Sequence, residues 1–201
     1  MIINNLGQIE HLNDGYITTN GAHCFVGEHV VCQYPISKTD VDRVVAVGGR
    51  DGYPFIVVGE KQIAICHPTP LVEEFFVKGL GVHNLDFQTS FDDLACEAIM
   101  QLTPFCTEEQ ENILMPTLDN CTSGRWHPAF TDITVLEADK GKGLRAMTEY
   151  LGIDISETMA FGDGGNDIPI IREAGVGVAM GNAGDSVKAV ADYPKFRNFI
   201  N

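Results

Sequence analysis

Short apolar segments separated by polar turns occupy the chain from about residue 16 to residue 136. The Gly27-Glu28 pair lies between two segments of alternating polarity and predicts a hairpin turn. Residues 59–61 predict a second turn between two apolar segments. This pattern favours an α+β unit with an antiparallel sheet. Its predicted strands are YITTNG, CFVGEHVVCQYPI, PFIVVG, QIAIC, CEAIMQLTPF and LDNCTSGRWHPAFTDITVLEA.

Three helices are predicted within the same region. The first runs from Ser37, a favoured N-cap residue, to about Arg50. The second covers residues 70–79, with a proline in its first turn and a glycine at its end. The third begins at Thr107, where the sequence TEEQ suggests a capping box.

The pattern changes at about residue 137. The segment KGKGLRAMTEYLG has the spacing of an amphipathic helix that ends at Gly152. TMAFGD and VGVAMG are short, almost wholly apolar strands of the kind buried in parallel sheets. Each is followed by a predicted helix, NDIPIIREAG and AGDSVKAVADY. This order indicates a doubly wound α/β core, with the antiparallel unit inserted between two pieces of it.

Composition limits the partners of this chain. Its 201 residues carry a formal net charge of −15 and only 13 scattered Lys and Arg residues, which argues against a nucleic-acid partner. An anionic substrate would therefore need a metal ion or a few local cations at its site. No segment approaches the roughly 20 apolar residues of a membrane span, and the N-terminus lacks the pattern of a signal peptide. We expect a cytoplasmic protein with no membrane partner.

Six cysteines lie between residues 24 and 121, and none are spaced as C-x-x-C. A zinc site or a disulfide set is one interpretation of them. Because metal-ligand spacing is missing, free thiols that pack as small apolar side chains are the preferred interpretation.

The segment MAFGDGGNDIPII carries the strongest chemical signal. Asp163 directly follows a predicted parallel strand, at the edge where ligands bind in such sheets. The glycines after it allow tight backbone geometry, and the next helix begins near Asn166 with amides that favour an anion. A carboxylate beside an anion is explained by a hard cation such as Mg²⁺ between them. Asp167 would hold this arrangement in place or bind a metal-bound water.

Three simpler explanations were weighed for this segment. A glycine-rich turn with an N-cap would explain one acidic residue and one glycine, but not the whole cluster. An EF-hand fails because its positions 6 and 12 would be Ile168 and Ala174. A dinucleotide fingerprint fails because the third glycine of GVGVAMG comes one residue late. The metal and phosphate interpretation is therefore preferred.

These motifs resemble those of a known family. FGDGGND, GVAMGNA and the upstream DKGKG are similar to the haloacid dehalogenase superfamily, and more closely to its Cof-type sugar-phosphatase branch. DGYITTNGAHCFVGEHV resembles the entry of that branch into its cap domain, and GRWHPAFTDIT the exit. The resemblance implies a Rossmann-like parallel core at residues 1–22 and 133–201, with an α+β cap at 23–132.

The resemblance also implies roles for single residues. Asp163 would ligate Mg²⁺, with Asp167 as its supporting partner and Asn166 directed toward the phosphate. Lys142 matches the lysine that neutralises the phosphoryl group and the nucleophile. Nearby Lys140 is interpreted as a solvated surface charge.

Further residues match the junction with the cap. Asn20 and Gly21 match the N-G pair at this junction, where the asparagine faces the site. Arg125 and Trp126 are candidates for cap residues that meet the substrate, with burial in the cap core as the alternative for Trp126.

The chain departs from this family in one essential motif. The family reacts through an aspartyl-phosphate formed on the first Asp of D-x-D-G-T, and no D-x-D-G-T occurs in these 201 residues. The Ser/Thr that follows the second core strand is also missing. We therefore expect an N-terminally truncated core without its first two strands, and YITTN and TMAFG flanking the gap, either paired directly or with unpaired edges.

Three functions follow from these expectations. The first is a Mg²⁺-dependent phosphatase of small phosphorylated metabolites such as sugar phosphates, inactive as this chain alone because the nucleophile is absent. The second is a non-catalytic remnant or binding module. The third is an interaction protein whose exposed core edge accepts a partner strand or a second copy.

Overall fold

The computed structural model describes residues 11–79 and 87–196 of the chain. They form two compact units, of which unit 1 contains residues 11–14 and 35–136 and unit 2 contains 15–34 and 137–196. Unit 1 is thus inserted into unit 2. The bounds differ from the predicted 23–132 for the inserted domain, because strands 23–33 pair with the strand before them.

Unit 1 is a five-stranded antiparallel sheet with helices, in the strand order β5-β4-β6-β8-β7. Phe55, Leu102 and Ile133 point to one face and pack there with Val44 and Leu114 of two helices. The opposite face packs against the helical segment 70–79. The elements are β4 (Phe55–Gly59), β5 (Ile63–Cys66), β6 (Ile99–Pro104), β7 (Cys121–His127), β8 (Phe130–Val135), α1 (Lys38–Asp51), α2 (Pro70–Val72) and α3 (Glu108–Leu114).

Local sequence signals explain most of these helix ends. Ser37 caps α1 by accepting a hydrogen bond from the Asp40 amide. Thr107 and Gln110 form the capping box of α3, as predicted. The predicted helix at 70–79 is only partly α-helical, since Glu73–Gly79 continues α2 as a π-helix.

Unit 2 contains two three-stranded sheets that no described strand connects. The first, antiparallel sheet includes the predicted hairpin, with Gly27 at φ +55° in its turn. The second, parallel sheet has the order β11-β10-β9. The elements are β1 (Tyr16–Thr18), β2 (His23–Val26), β3 (His29–Gln33), α4 (Lys140–Leu151), β9 (Met159–Gly162), α5 (Ile168–Glu173), β10 (Val176–Met180), α6 (Asp185–Lys188) and β11 (Tyr193–Phe196).

Strand β9 differs from its prediction as a fully buried strand. Met159 is 57% exposed and Phe161 is 49% exposed, although Ala160 between them is buried. The cause is that β9 pairs with β10 on one side, while among residues 11–79 and 87–196 no strand pairs on its other side. Of the two outcomes expected for the flanking strands, the described residues show separate edges and no direct pairing of β1 with β9.

The last described strand was not predicted. Tyr193–Phe196 forms β11 and pairs in parallel with β10. Asp192 leads into it, because its backbone amide donates to the Gly177 carbonyl at 2.8 Å and its carboxylate accepts from the Gly177 amide at 2.8 Å. The segment thus ends as an edge strand, where Pro194 is tolerated.

All six cysteines are free thiols, as the spacing indicated. Within residues 11–79 and 87–196, no group of three or more His, Cys, Asp or Glu side chains could hold a metal ion. The same described part of the chain contains no helix with the length and apolar character needed to cross a membrane.

Candidate cation and phosphate site

The loop after β9 folds tightly around one carboxylate. Asp167 Oδ2 accepts hydrogen bonds from the backbone amides of Asp163 and Gly164, at 3.0 Å each. A Cβ atom on Gly162 would collide with the Asp167 side chain, so glycine is needed at this position. The predicted free amides at this corner are therefore wrong for residues 163 and 164, because the chain's own carboxylate occupies them.

The same carboxylate forms an ion pair with a lysine. Lys140 Nζ lies 2.5 Å from Asp167 Oδ1, and the two side chains are only 25% and 13% exposed. Burial opposes ionisation of Asp167, but the Lys140 hydrogen bond and the two backbone amides outweigh it and lower the pKa of this carboxyl. Asp167 is thus a fixed negative charge that orients the loop carrying Asp163.

The interpretation of Lys140 as a solvated surface charge is wrong. Asp139 caps α4, which places Lys140 at the first helical position and directs its ammonium to Asp167. Lys142, the residue selected from the sequence, is exposed and donates to the Glu137 carbonyl oxygen at 3.2 Å. Residues two apart on a helix point in different directions, so only one of the two lysines reaches the loop.

Strained backbone brings a second element to this loop. Thr19, Asn20 and Gly21 all have positive φ, at +48°, +56° and +92°. Asn20 Oδ1 accepts a hydrogen bond of 2.9 Å from Asn166 Nδ2, and the Thr19 hydroxyl is buried with no hydrogen-bond partner among the described residues. Because left-handed threonine is costly, this conformation indicates a functional constraint.

Gly21 holds the strained turn against the start of α4. A Cβ atom on Gly21 would collide with the backbone carbonyl of Asp139 and would lie 2.9 Å from the Lys140 nitrogen. Only glycine allows this approach at φ +92°. The turn therefore positions Asn20 beside the loop through backbone packing.

Asp163 is exposed at the carboxyl end of β9, as predicted. Its Oδ2 accepts a hydrogen bond of 2.6 Å from Asn182 Nδ2. Asn182 was not selected from the sequence, although it follows the buried strand β10 just as Asp163 follows β9. Polar residues after neighbouring parallel strands meet at one sheet edge, and that rule would have found it.

The donor set fits a hard cation in part. Mg²⁺ takes oxygen ligands, keeps several waters and uses one or two protein carboxylates together with substrate phosphates. Asp163 offers one exposed carboxylate, while both oxygens of Asp167 are already occupied by Lys140 and the loop amides. Asp163 therefore fits as one ligand, and Asp167 as the residue that fixes its loop.

Arg125 has a structural role inside unit 1. Its guanidinium bonds to Glu111 Oε2 at 2.6 Å and also donates to the backbone carbonyls of Cys106 and Pro128. Burial opposes ionisation of Glu111, but its hydrogen bonds, including the one from Arg125, lower the pKa of this carboxyl. With its donors engaged in this way, the expected contact of Arg125 with a substrate has no support in the structure.

Comparison with known proteins places this geometry in context. The profile of the haloacid dehalogenase-like hydrolase family matches residues 1–195. YkrA of Bacillus subtilis (strain 168), named as a phosphatase, is 32% identical over 185 residues, which cover 89% of this chain and 68% of YkrA. YbjI of Escherichia coli (strain K12), named 5-amino-6-(5-phospho-D-ribitylamino)uracil phosphatase, is 27% identical over 191 residues, covering 90% of this chain and 66% of YbjI.

A solved structure resembles the whole described fold. The subclass IIB sugar phosphatase BT4131 superposes with a TM-score of 0.85 at 43% sequence identity, covering 97% of this chain and 75% of that protein. The chain thus spans about two thirds of the two curated relatives and three quarters of the structural one.

Proposed function

Because the chain belongs to the haloacid dehalogenase-like hydrolase family, we propose that unit 2 carries the cation- and phosphate-binding part of a Mg²⁺-dependent phosphatase of small phosphorylated metabolites, such as sugar phosphates. The observation that carries this proposal is the exposed Asp163 carboxylate at the end of β9, on a loop that Asp167 and Lys140 hold. Sugar-phosphatase relatives and the net charge of −15 support a small-molecule substrate.

The residues of this site have distinct proposed roles. Asp163 would ligate Mg²⁺, which when bound supplies positive charge that offsets the charge of a phosphate group. Asn166 and Asn20, joined by their 2.9 Å hydrogen bond, would donate to the phosphate. Lys140 replaces Lys142 in the proposed neutralising role, because its ammonium reaches this loop.

We further propose that these 201 residues do not hydrolyse phosphate esters on their own. The family's reaction needs an aspartate nucleophile from D-x-D-G-T, and this sequence does not contain that motif. Removing a nucleophile abolishes covalent catalysis and leaves only binding and electrostatic contributions. The chain would therefore bind cation and phosphate without turning over.

An activity assay tests this proposal. The purified chain with 4-nitrophenyl phosphate and Mg²⁺ is expected to release 4-nitrophenol no faster than buffer. Turnover that rises with chain concentration and disappears in Asp163→Asn would overturn the inactivity. Calorimetric titration of Mg²⁺ in the presence of inorganic phosphate should give binding that Asp163→Asn weakens about 10-fold or more. Glu149→Gln removes one exposed charge from α4 and serves as the matched control.

A second candidate function is self-association through β9. The observation that favours it is the 57% exposed Met159 on a strand with a described partner on one side only. Exposed strand edges accept further strands, and an exposed apolar side chain strengthens that pairing.

Light scattering coupled to size-exclusion chromatography tests this second candidate. We expect a dimer at micromolar concentration, and we expect Met159→Lys to shift it to monomer because a charge on the edge opposes pairing. Tyr150→Lys, which changes a 47% exposed side chain on α4, is the control and should leave the dimer intact. A monomer at every concentration would contradict the proposal.

A further inference from the structure

One face of the unit 1 sheet carries a polar cluster within an apolar surface. Gln101 and Thr103 of β6 lie opposite Val58 and Ile56 of β4 in the antiparallel register. Asp132 of β8 joins them through a 2.7 Å hydrogen bond from the Thr103 hydroxyl. Three neighbouring strands therefore place amide, hydroxyl and carboxylate groups side by side.

Asp132 is held by neutral donors. Its Oδ1 accepts from the Thr103 hydroxyl at 2.7 Å and from Gln101 Nε2 at 3.0 Å, and its Oδ2 accepts from Trp126 Nε1 at 2.9 Å. Burial raises the pKa of this carboxyl against the opposing effect of the Trp126 and Thr103 hydrogen bonds. No cation takes part in these bonds, in contrast to Asp167 and Glu111.

Trp126 is presented to solvent beside this carboxylate. Its side chain is 56% exposed, while its indole N–H is fixed by Asp132 and its ring meets Phe130 edge-on at a centroid distance of 4.7 Å. Phe75 lies 5.9 Å away on the helical segment that covers part of this face. The ring is therefore an oriented apolar surface that water contacts.

We propose that Gln101, Thr103, Asp132 and Trp126 form a binding site for a polyhydroxylated group, a sugar ring or an open-chain polyol. The C–H side of such a group stacks on the Trp126 ring, and its hydroxyls donate to the Asp132 carboxylate. Gln101 and Thr103 fix the carboxylate and add amide and hydroxyl groups at the same place.

The chemistry of the cluster favours this ligand. An ionised carboxylate has about four acceptor positions, and the three donors named above leave one for a ligand hydroxyl on Oδ2. A hydroxyl donor relieves the cost of a charge held by neutral groups alone. Aromatic rings with a polar end are suited to ligands that have one apolar and one hydrogen-bonding side.

A purely structural role would leave a different arrangement. Buried polar networks stabilise a core when every member is enclosed and satisfied. Here the Thr103 side chain is enclosed at 3% exposure, whereas its network ends in a tryptophan that is more than half exposed. The fixed, solvent-facing ring indicates a contact surface at the end of the network.

The site lies wholly in unit 1, so it does not rest on the phosphatase proposal. The probes are glucose and glucitol, which carry no phosphate, with inorganic phosphate as a separate arm. Failure of this inference would therefore leave the Asp163 experiments unaffected.

The single tryptophan of the chain provides the measurement. Its indole N–H gives one side-chain cross-peak in a proton–nitrogen correlation spectrum. In the full chain, glucose or glucitol at millimolar concentrations is expected to shift this peak saturably, because the ligand contacts the ring and shares Asp132 Oδ2. Asp132→Asn should abolish the saturable shift, while Glu109→Gln, an exposed charge change on α3, should retain it.

Several results would overturn the proposal. They are no saturable shift with either probe, an equal shift in Asp132→Asn, a shift by inorganic phosphate alone, or saturation by tetramethylammonium but not by the sugars, which would indicate a cation site. If Asp132→Asn does not fold, Trp126→Ala is the second variant. Sugar-induced shifts of the Gln101 and Thr103 amides that persist in Trp126→Ala would equally contradict the site.

Discussion

Replacing Gly21 by alanine is expected to destabilise unit 2 by about 2–5 kcal/mol, the sum of left-handed backbone strain and overpacking. The added Cβ would collide with the Asp139 carbonyl at the start of α4, and backbone atoms there cannot move as a side-chain end can. Hydrogen exchange of unit 2 peptides, followed by mass spectrometry, should show faster exchange in α4 and β9. Peptides of β4 and β6 in unit 1 should be unchanged.

Gly27 provides the matched control for this change. It also has a positive φ, +55°, but a Cβ atom there would meet nothing within 4 Å. Gly27→Ala should therefore cost only about 1–2 kcal/mol, the strain of the left-handed conformation. Equal losses at the two positions would show that the approach of Gly21 to Asp139 contributes nothing.

Replacing Lys140 by methionine is expected to destabilise unit 2 by about 2–3 kcal/mol, somewhat less than for a fully buried ion pair that loses one partner. The loss arises because Asp167 keeps its charge in a setting that is only 13% exposed. Urea unfolding followed by exchange in β9 and α5 measures it. Lys142→Met removes the same charge from an exposed position on the same helix and should change stability by less than about 0.5 kcal/mol.

The pH dependence of stability provides an independent check on the same pair. The folded-state pKa of Asp167 is lowered, so its contribution is complete above the ordinary aspartate pKa of about 3.9 and disappears as pH falls through the lower folded value. Acidification should therefore destabilise wild-type unit 2 more steeply than the Asp167→Asn variant. Parallel slopes for the two proteins would contradict the assigned ion pair.

Elements with local signals were predictable from the sequence. The hairpin at Gly27, the cap at Ser37, the capping box at Thr107 and the end of α4 at Gly152 all lie where expected. Each depends on a glycine that tolerates positive φ or on a side chain that satisfies nearby amides. These interactions span a few residues, so the sequence contains all the partners.

The site was only partly predictable, because its contacts join distant segments. Lys140 and Lys142 both precede a glycine, and only the position of the N-cap at Asp139 distinguishes them. Asn182 reaches Asp163 across two parallel strands. Spacing along the chain identifies Asp163 and Asp167, but which lysine and which asparagine meet them depends on helix phase and strand order.

The exposure of side chains was the least predictable property. Met159 lies in an apolar strand that sequence patterns assign to the interior, and the partner strand that would cover it is not among the described residues. Trp126 was ambiguous between core and surface. Its exposure follows from the bond to Asp132 on the neighbouring strand, a partner that alternation along β7 cannot identify.

The division of unit 2 into two segments has a consequence for the order of folding. Asn20 and Asn166 are 146 residues apart in the chain, and closing a flexible loop of that length costs about 4 kcal/mol of entropy. During synthesis, residues 15–34 leave the ribosome well before residues 137–196 exist. We expect unit 1 to fold first, since its compact form shortens the flexible connection that the two segments must close. The first hairpin would then wait for α4, which makes unit 2 the later and slower folding event.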